Sequence, residues 1–135
     1  MIIFACVHNA GRSQIAKAFF NSLAVNDNLN MVAQSAGTNP VAKIHPEVII
    51  VMQEIGLDLI NEQPQLLTPQ LAISASLLVT MGCNEKCPYI PGLKIIDWNI
   101  EDPKGKSIIE VRKIRDEIKS KVADLILELK EKRNR

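Results

Sequence analysis

Only five of the 135 residues are aromatic: three Phe, one Trp and one Tyr. That is too few for the stacking platforms on which single-stranded nucleic acids are held. A formal net charge of +1 leaves no strong electrostatic footprint for a polyanion either. The charge is uneven. Residues 104–135 hold eleven Lys or Arg against six Asp or Glu, leaving five basic against nine acidic before them. This asymmetry could steer an acidic partner, but it reads first as a solvated helix face and charged tail. No apolar stretch reaches the length of a membrane span. The apolar start, residues 1–7, is short and lacks the positive leader of a secretory signal, so the expected compartment is the cytoplasm. Stable disulfides are uncommon there. The three cysteines therefore point to transient redox chemistry, metal binding or simple burial.

Repeats and low-complexity linkers are also missing. At this length, with 47% hydrophobic residues and few aromatics, the expectation is one domain over 1–135, monomeric, around an aliphatic core. Residues 1–5 read as a buried strand and 13–23 as a helix with Ile15, Ala16, Phe19 and Leu23 on its apolar side. A second strand is expected at 31–36, stopped by Gly37 and Pro40. His45-Pro46 opens a helix that Gly56 ends, and Thr68-Pro69 offers the cap of a short helical turn. Residues 74–80 and 94–97 read as the third and fourth strands. Between them, the loop 81–92 carries Cys83 and Cys87. Ser107 and Glu110 make a capping box ahead of the strongest helix, whose apolar stripe is Val111, Ile114, Ile118, Val122, Leu125 and Leu129. Strands alternating with helices imply an α/β fold: a parallel sheet with helices on both faces and ligands beyond the carboxyl ends of its strands.

The first of those ends carries Cys6-Val7-His8-Asn9-Ala10-Gly11-Arg12-Ser13. Five residues between a thiol and a guanidinium let the backbone curl into a nest of N–H groups. Val7, His8, Asn9, Ala10, Gly11 and Arg12 would then surround a tetrahedral oxyanion, with Arg12 gripping it through two parallel hydrogen bonds. A helix opening at Arg12 or Ser13 aims its positive end at the anion and at the sulfur. A hydrogen bond from Ser13 to Cys6 favours the thiolate. The alternative for Cys6, an inert buried thiol, does not account for the Gly, Arg and Ser gathered around it.

These residues resemble the Cys-x5-Arg-Ser signature of the low-molecular-weight protein tyrosine phosphatase superfamily. The wording Val7-His8-Asn9-Ala10-Gly11-Arg12-Ser13-Gln14 is similar to its thioredoxin-coupled arsenate reductase branch. The likeness continues in order through Ser35-Ala36-Gly37-Thr38, His45-Pro46, Met81-Gly82-Cys83, Cys87-Pro88, Asp97-Trp98 and Asp102-Pro103, nearly the whole chain. It implies a three-layer fold with four parallel strands in the order 2-1-3-4, which composition and periodicity do not fix. It also implies that Asn9 holds the loop, that His8 is loop wall rather than a base, and that Asp102 is a general acid. His45 reads as a helix start.

Cys83 and Cys87 separate two activities. Cys6, Arg12, Ser13 and Asp102 suffice for phosphoester hydrolysis through a cysteinyl phosphate. Arsenate reduction also needs electrons, which a Cys6, Cys83, Cys87 relay regenerated by thioredoxin would supply without a cofactor. A metal site is the competing use of the pair, but structural zinc usually takes a second pair of thiols. Tyrosine phosphatases of this fold usually carry tyrosines after the Asp-Pro, whereas Lys104-Gly105-Lys106 follows here and the only Tyr is Tyr89. Two departures stand out. Only three residues separate Cys83 from Cys87, fewer than in some relatives. Lys17 stands where some reductases carry a glutamate that helps hold potassium, so its ammonium either takes that charge role or is an exposed helix lysine.

Overall fold

The computed structural model describes residues 1–82 and 90–133, so Cys83 and Cys87 lie outside the described residues. The opening apolar run forms β1 (Ile2–Cys6), buried along its whole length. Successive side chains of a strand face opposite ways. Ile2, Phe4 and Cys6 therefore enter one hydrophobic core, while Ile3 and Ala5 enter another.

β1 is followed by α1 (Arg12–Asn26), β2 (Ala33–Gly37), α2 (Pro46–Gln53), α3 (Pro69–Ile73), β3 (Leu77–Thr80), β4 (Lys94–Asp97) and α4 (Ile108–Arg133). The strands make one parallel sheet in the order β2-β1-β3-β4. The larger core joins α1, α2 and α4 to one face, and the smaller joins Leu71 and Ala72 of α3 to the other. In register, Ala5 lies between Ala36 and Thr80, and Thr80 pairs with Asp97. The chain therefore leaves Cys6, Gly37, Met81 and Trp98 along the same edge of the sheet. Among the described residues no helix is long and apolar enough to cross a membrane.

Some boundaries differ from the sequence expectation, for local reasons. α1 begins at Arg12 and runs on to Asn26, ending where Asn28 adopts a positive φ of 55°. β2 starts at Ala33 rather than at Met31, whose amide bonds to Leu29 O in the turn instead of joining the sheet. Ser74 caps the end of α3, which postpones β3 to Leu77. The cap of α3 is Thr68, whose Oγ1 accepts from Leu71 N at 3.1 Å. The capping box of α4 forms reciprocally, with Glu110 N donating to Ser107 Oγ and Ser107 N donating to Glu110 Oε1. Of its apolar stripe, Val111, Ile114, Ile118, Val122 and Leu125 are buried, and Leu129 is partly so. Arg115 ties α4 to α2 by donating to Val51 O at 2.9 Å and to Glu54 Oε1 at 3.0 Å.

The long helix is therefore held mainly by its buried stripe. Ile118→Ala should cost about 2–5 kcal/mol in urea denaturation. Ile109→Ala, on the exposed side of the same helix, should stay within about 0.5 kcal/mol.

Candidate active site

The turn between β1 and α1 is built from both ends. All six carbonyl oxygens of residues 6–11 accept a hydrogen bond from neighbouring groups. Cys6 O accepts from Thr38 N (3.2 Å), Val7 O from Asn39 N (2.8 Å), His8 O from Val41 N (3.2 Å) and Ala10 O from His45 N (3.0 Å). Gly11 O accepts from Ile15 N, the first turn of α1, and Asn9 O from Gln14 Nε2 at 3.2 Å. Asn9 reverses the chain with a φ of 54°, in the left-handed region that Asn tolerates better than most residues. The segment after β2 supplies most of these donors and comes very close. A Cβ on Gly37 would stand 2.5 Å from Val7 O, so only glycine fits there.

Cys6 is buried, and its Sγ lies 2.8 Å from Ser13 Oγ. Asn9 Nδ2 donates to the same Ser13 oxygen at 2.7 Å. Asn9 Oδ1 accepts from the backbone N–H of Gln65 at 2.9 Å, which fixes which end of the amide faces Ser13. With Asn9 donating into it, Ser13 is left with its own hydroxyl proton to give to the sulfur. That hydrogen bond is stronger to a thiolate than to a thiol.

Arg12 is nearly buried, although it carries a full charge. Nη1 donates to Ile100 O at 3.1 Å, and Nη2 lies 3.8 Å from Asp102 Oδ2. Asp102 is the more open partner, 42% exposed against 10% for the Arg12 side chain, and its other oxygen accepts from Lys104 N at 3.0 Å. Gly82 packs on the guanidinium. Its φ is +84°, and a Cβ there would meet Arg12 Nη1 at 2.6 Å. Glycine at this position therefore has a packing reason as well as a conformational one. Pro103 closes on the turn from the other side, since a Cβ on Gly11 would meet Pro103 Cγ at 2.6 Å and His45 Cδ2 at 3.6 Å.

The structure thus gathers Cys6, Asn9, Arg12, Ser13 and Asp102 around one turn, with His45 beside it. Cys83 and Cys87 fall outside the described residues. His45 caps α2 by position, but its side chain makes no capping hydrogen bond. Burial holds its imidazole below the ordinary histidine range; His8 and Lys104 act the same way, and Asp102 and Glu47 oppose them. Lys17 pairs with Glu62 at 3.1 Å in a cavity of about 280 Å³ that Gln14, Asn21 and Asp58 also line. It is neither free in solvent nor bonded to the turn. Three contributors lay beyond the sequence reading: Ile100 O, the Gln65 amide and the buried side chain of Gln14. No motif marks Ile100 or Gln65, which reach the turn through tertiary contact, and the motif that ends at Gln14 does not show its side chain turning back onto Asn9. Among the described residues, no group of His, Cys, Asp or Glu could hold a metal ion.

Known proteins resemble this chain over nearly its whole length. The family model of low molecular weight phosphotyrosine protein phosphatases matches residues 1–135. A putative arsenate reductase of Halobacterium salinarum is 36% identical over 124 residues, covering 90% of this chain and 87% of that protein. A thioredoxin-dependent arsenate reductase of Corynebacterium glutamicum superposes with a TM-score of 0.79 at 35% identity. The match covers 96% of this chain, which spans 61% of that longer one. The arginine phosphatase YwlE, known from Bacillus subtilis, superposes with a TM-score of 0.84 at 25% identity, over 98% of this chain and 97% of that one.

His45 supplies a pH test of the site's packing. A folded-state value below the ordinary 6.5 of histidine means that the unfolded chain binds the proton more readily. The stability this gives is present above pH 6.5 and is lost as pH falls through the folded value. Thermal unfolding of the His45→Gln variant should therefore depend less on pH below about 6.5 than that of the unmodified protein.

Proposed function

The chain belongs to the low molecular weight phosphotyrosine protein phosphatase family, and within it we propose that the protein reduces arsenate to arsenite, acting as a cytoplasmic monomer of one domain. The observation that carries this reading is the meeting of Cys6, Ser13, Arg12 and Asp102 at one turn whose carbonyls are all turned to other partners. With its carbonyls engaged elsewhere, the turn has the amides of Val7, His8, Asn9, Ala10, Gly11 and Arg12 to present to an oxyanion. The positive end of α1 adds to them.

In the proposed reaction the Cys6 thiolate attacks arsenic(V), forming a sulfur–arsenic bond. A hydroxide leaves as water, protonated by Asp102. Cys83 then attacks the Cys6 sulfur. The sulfur–arsenic pair of electrons stays on arsenic, arsenite departs, and a Cys6–Cys83 disulfide remains. Attack by Cys87 on Cys83 frees Cys6 as thiolate and moves the disulfide to Cys83–Cys87, which thioredoxin reduces by two electrons. The relatives named as arsenate reductases, one of them thioredoxin-dependent, support this choice over hydrolysis, as do the two loop thiols in the sequence.

A second reading has one specific support. The YwlE arginine phosphatase shares the fold over nearly its whole length, and Cys6, Arg12 and Asp102 suffice for hydrolysis of a phosphoryl group. Parallel assays with arsenate, thioredoxin, thioredoxin reductase and NADPH, and with an aryl phosphate, separate the two. Reductase turnover that survives Cys83→Ser would remove the internal relay. In the proposed relay, Cys87→Ser traps a Cys6–Cys83 disulfide after one turnover, visible by peptide mapping.

Asp102 and Arg12 should differ in kind. Asp102→Asn keeps the shape and removes the transferable proton, so turnover should fall by about 100 to 10,000 fold while phosphate inhibition constants hold. Arg12→Ala should weaken both, because the guanidinium serves bound anion and transition state alike. Near-normal turnover in Asp102→Asn would return the Asp102-Pro103 loop to a simple turn.

A further inference from the structure

Gln14, on the first turn of α1, is 1% exposed, and its Nε2 faces three oxygens: Asn9 O at 3.2 Å, Asn9 Oδ1 at 3.2 Å and Gln63 O at 3.4 Å. All three accept hydrogen bonds, because the Gln65 N–H already fixes Oδ1 as the oxygen end of Asn9. The Gln14 amide therefore has one possible orientation. Its other end gains nothing from this, since Gln14 Oε1 is buried with no hydrogen-bond partner among the described residues. An unsatisfied buried carbonyl costs stability, so what keeps the amide here is what its Nε2 end holds, and that is chiefly Asn9. The placement calls for a reason other than packing.

We infer that Gln14 is a positioning residue that, with the Gln65 amide, holds the direction of the proton chain ending at Cys6. Its amide staples the backbone and the side chain of left-handed Asn9 to the 63–65 segment. Gln65 anchors that segment to the sheet by donating from Nε2 to Ser35 O at 2.7 Å and by accepting at its carbonyl from Gly37 N at 2.9 Å. With Oδ1 held by Gln14 and by the Gln65 amide, Asn9 Nδ2 faces Ser13. Ser13 then accepts from Asn9 and gives its own proton to the sulfur. If the Asn9 amide turned over, its oxygen would face Ser13, the hydroxyl proton would go to Asn9, and Cys6 would lose its donor. Gln14 touches neither the thiol nor the anion site described above. It acts only through Asn9 and Ser13.

This inference rests on Cys6 being the nucleophile, and the experiment keeps the two apart. The rate of iodoacetamide alkylation at Cys6 is followed at pH 7 in the full chain by mass spectrometry of the Cys6 peptide. Gln14→Met preserves volume and removes the donor. Its rate should fall about tenfold, roughly the worth of one hydrogen bond to a charged group, whereas loss of the donor to Asn9 O by itself should lower only the melting temperature. In an Asn9→Asp background, where no amide is left to donate to Ser13, Gln14→Met should add no further loss. Equal rates in the unmodified protein and Gln14→Met, or additive losses in the double variant, overturn the role of Gln14 and leave Cys6 as the nucleophile. An unmodified Cys6 that reacts no faster than free cysteine overturns both. Should Gln14→Met fail to fold, amide exchange in the unmodified protein decides: slow exchange of the Gln14 and Asn9 side-chain protons is expected, and solvent-limited exchange sinks the inference.

Discussion

Where the carbonyl oxygens of residues 6–11 go decides what the rest of the site can be. A turn that is to hold an anion must aim its amides inward, and every carbonyl it turns outward needs a donor in a place that water reaches poorly. Here the donors are the amides of Thr38, Asn39, Val41 and His45, the first turn of α1, and one buried glutamine. The stretch that follows β2 is thus as much a part of the turn as the turn's own residues. Its approach explains Gly37, whose hydrogen occupies space that no Cβ could share with Val7 O.

The sheet makes that approach possible. Because β1 lies between β2 and β3 and all strands run parallel, the segments leaving them share one edge. Thr38 N reaches Cys6 O on one side, and Met81 N reaches Ala5 O on the other. Trp98 N then bonds Thr80 O one strand further out, and the chain continues through Ile100 to Asp102, where both meet Arg12. Phe4, packed between Phe20 and Trp98 at ring distances of 6.0 and 5.7 Å, couples the middle of β1 to α1 and to the end of β4. A shift in that core would be felt at the turn, because packed side chains transmit displacement.

Much of this was legible in the sequence. The apolar run of β1, the stripe and capping box of α4, and Thr68 ahead of α3 obey local rules, and the structure keeps them. The strand order came only from resemblance, since no local rule says which of two parallel neighbours β1 takes. Cys6, Arg12 and Ser13 are close in sequence and were readable as a unit. Asp102 was readable only because Cys6 gave its Asp-Pro a context. Gln65 and the carbonyl of Ile100 were not readable, because a polar side chain or a backbone group in a loop carries no sign of its distant partner; Gln14 closes the motif, but nothing local shows its amide folding back onto Asn9. Gly82 was visible as a glycine, yet the guanidinium it shelters appears only after folding.

The site also gathers polar groups that the chain buries. Asn9, Arg12, Ser13 and Gln14 are all buried at the same end of the sheet, next to an aliphatic core that has no use for them. Each polar atom taken from water costs free energy unless it finds a partner, and nearly all of these do. Arg12 is the extreme case, since among the described residues its charge meets a carbonyl and a half-exposed carboxylate 3.8 Å away. A guanidinium held this way, rather than in a close two-pronged pair with Asp102, keeps hydrogen-bonding capacity in reserve, and a tetrahedral anion is the kind of partner that could take it up. The weakness of the Arg12–Asp102 contact has a second consequence. A carboxylate locked tightly to Arg12 would make a poor proton donor, whereas an open one at this distance can approach a leaving oxygen while the arginine turns to the anion.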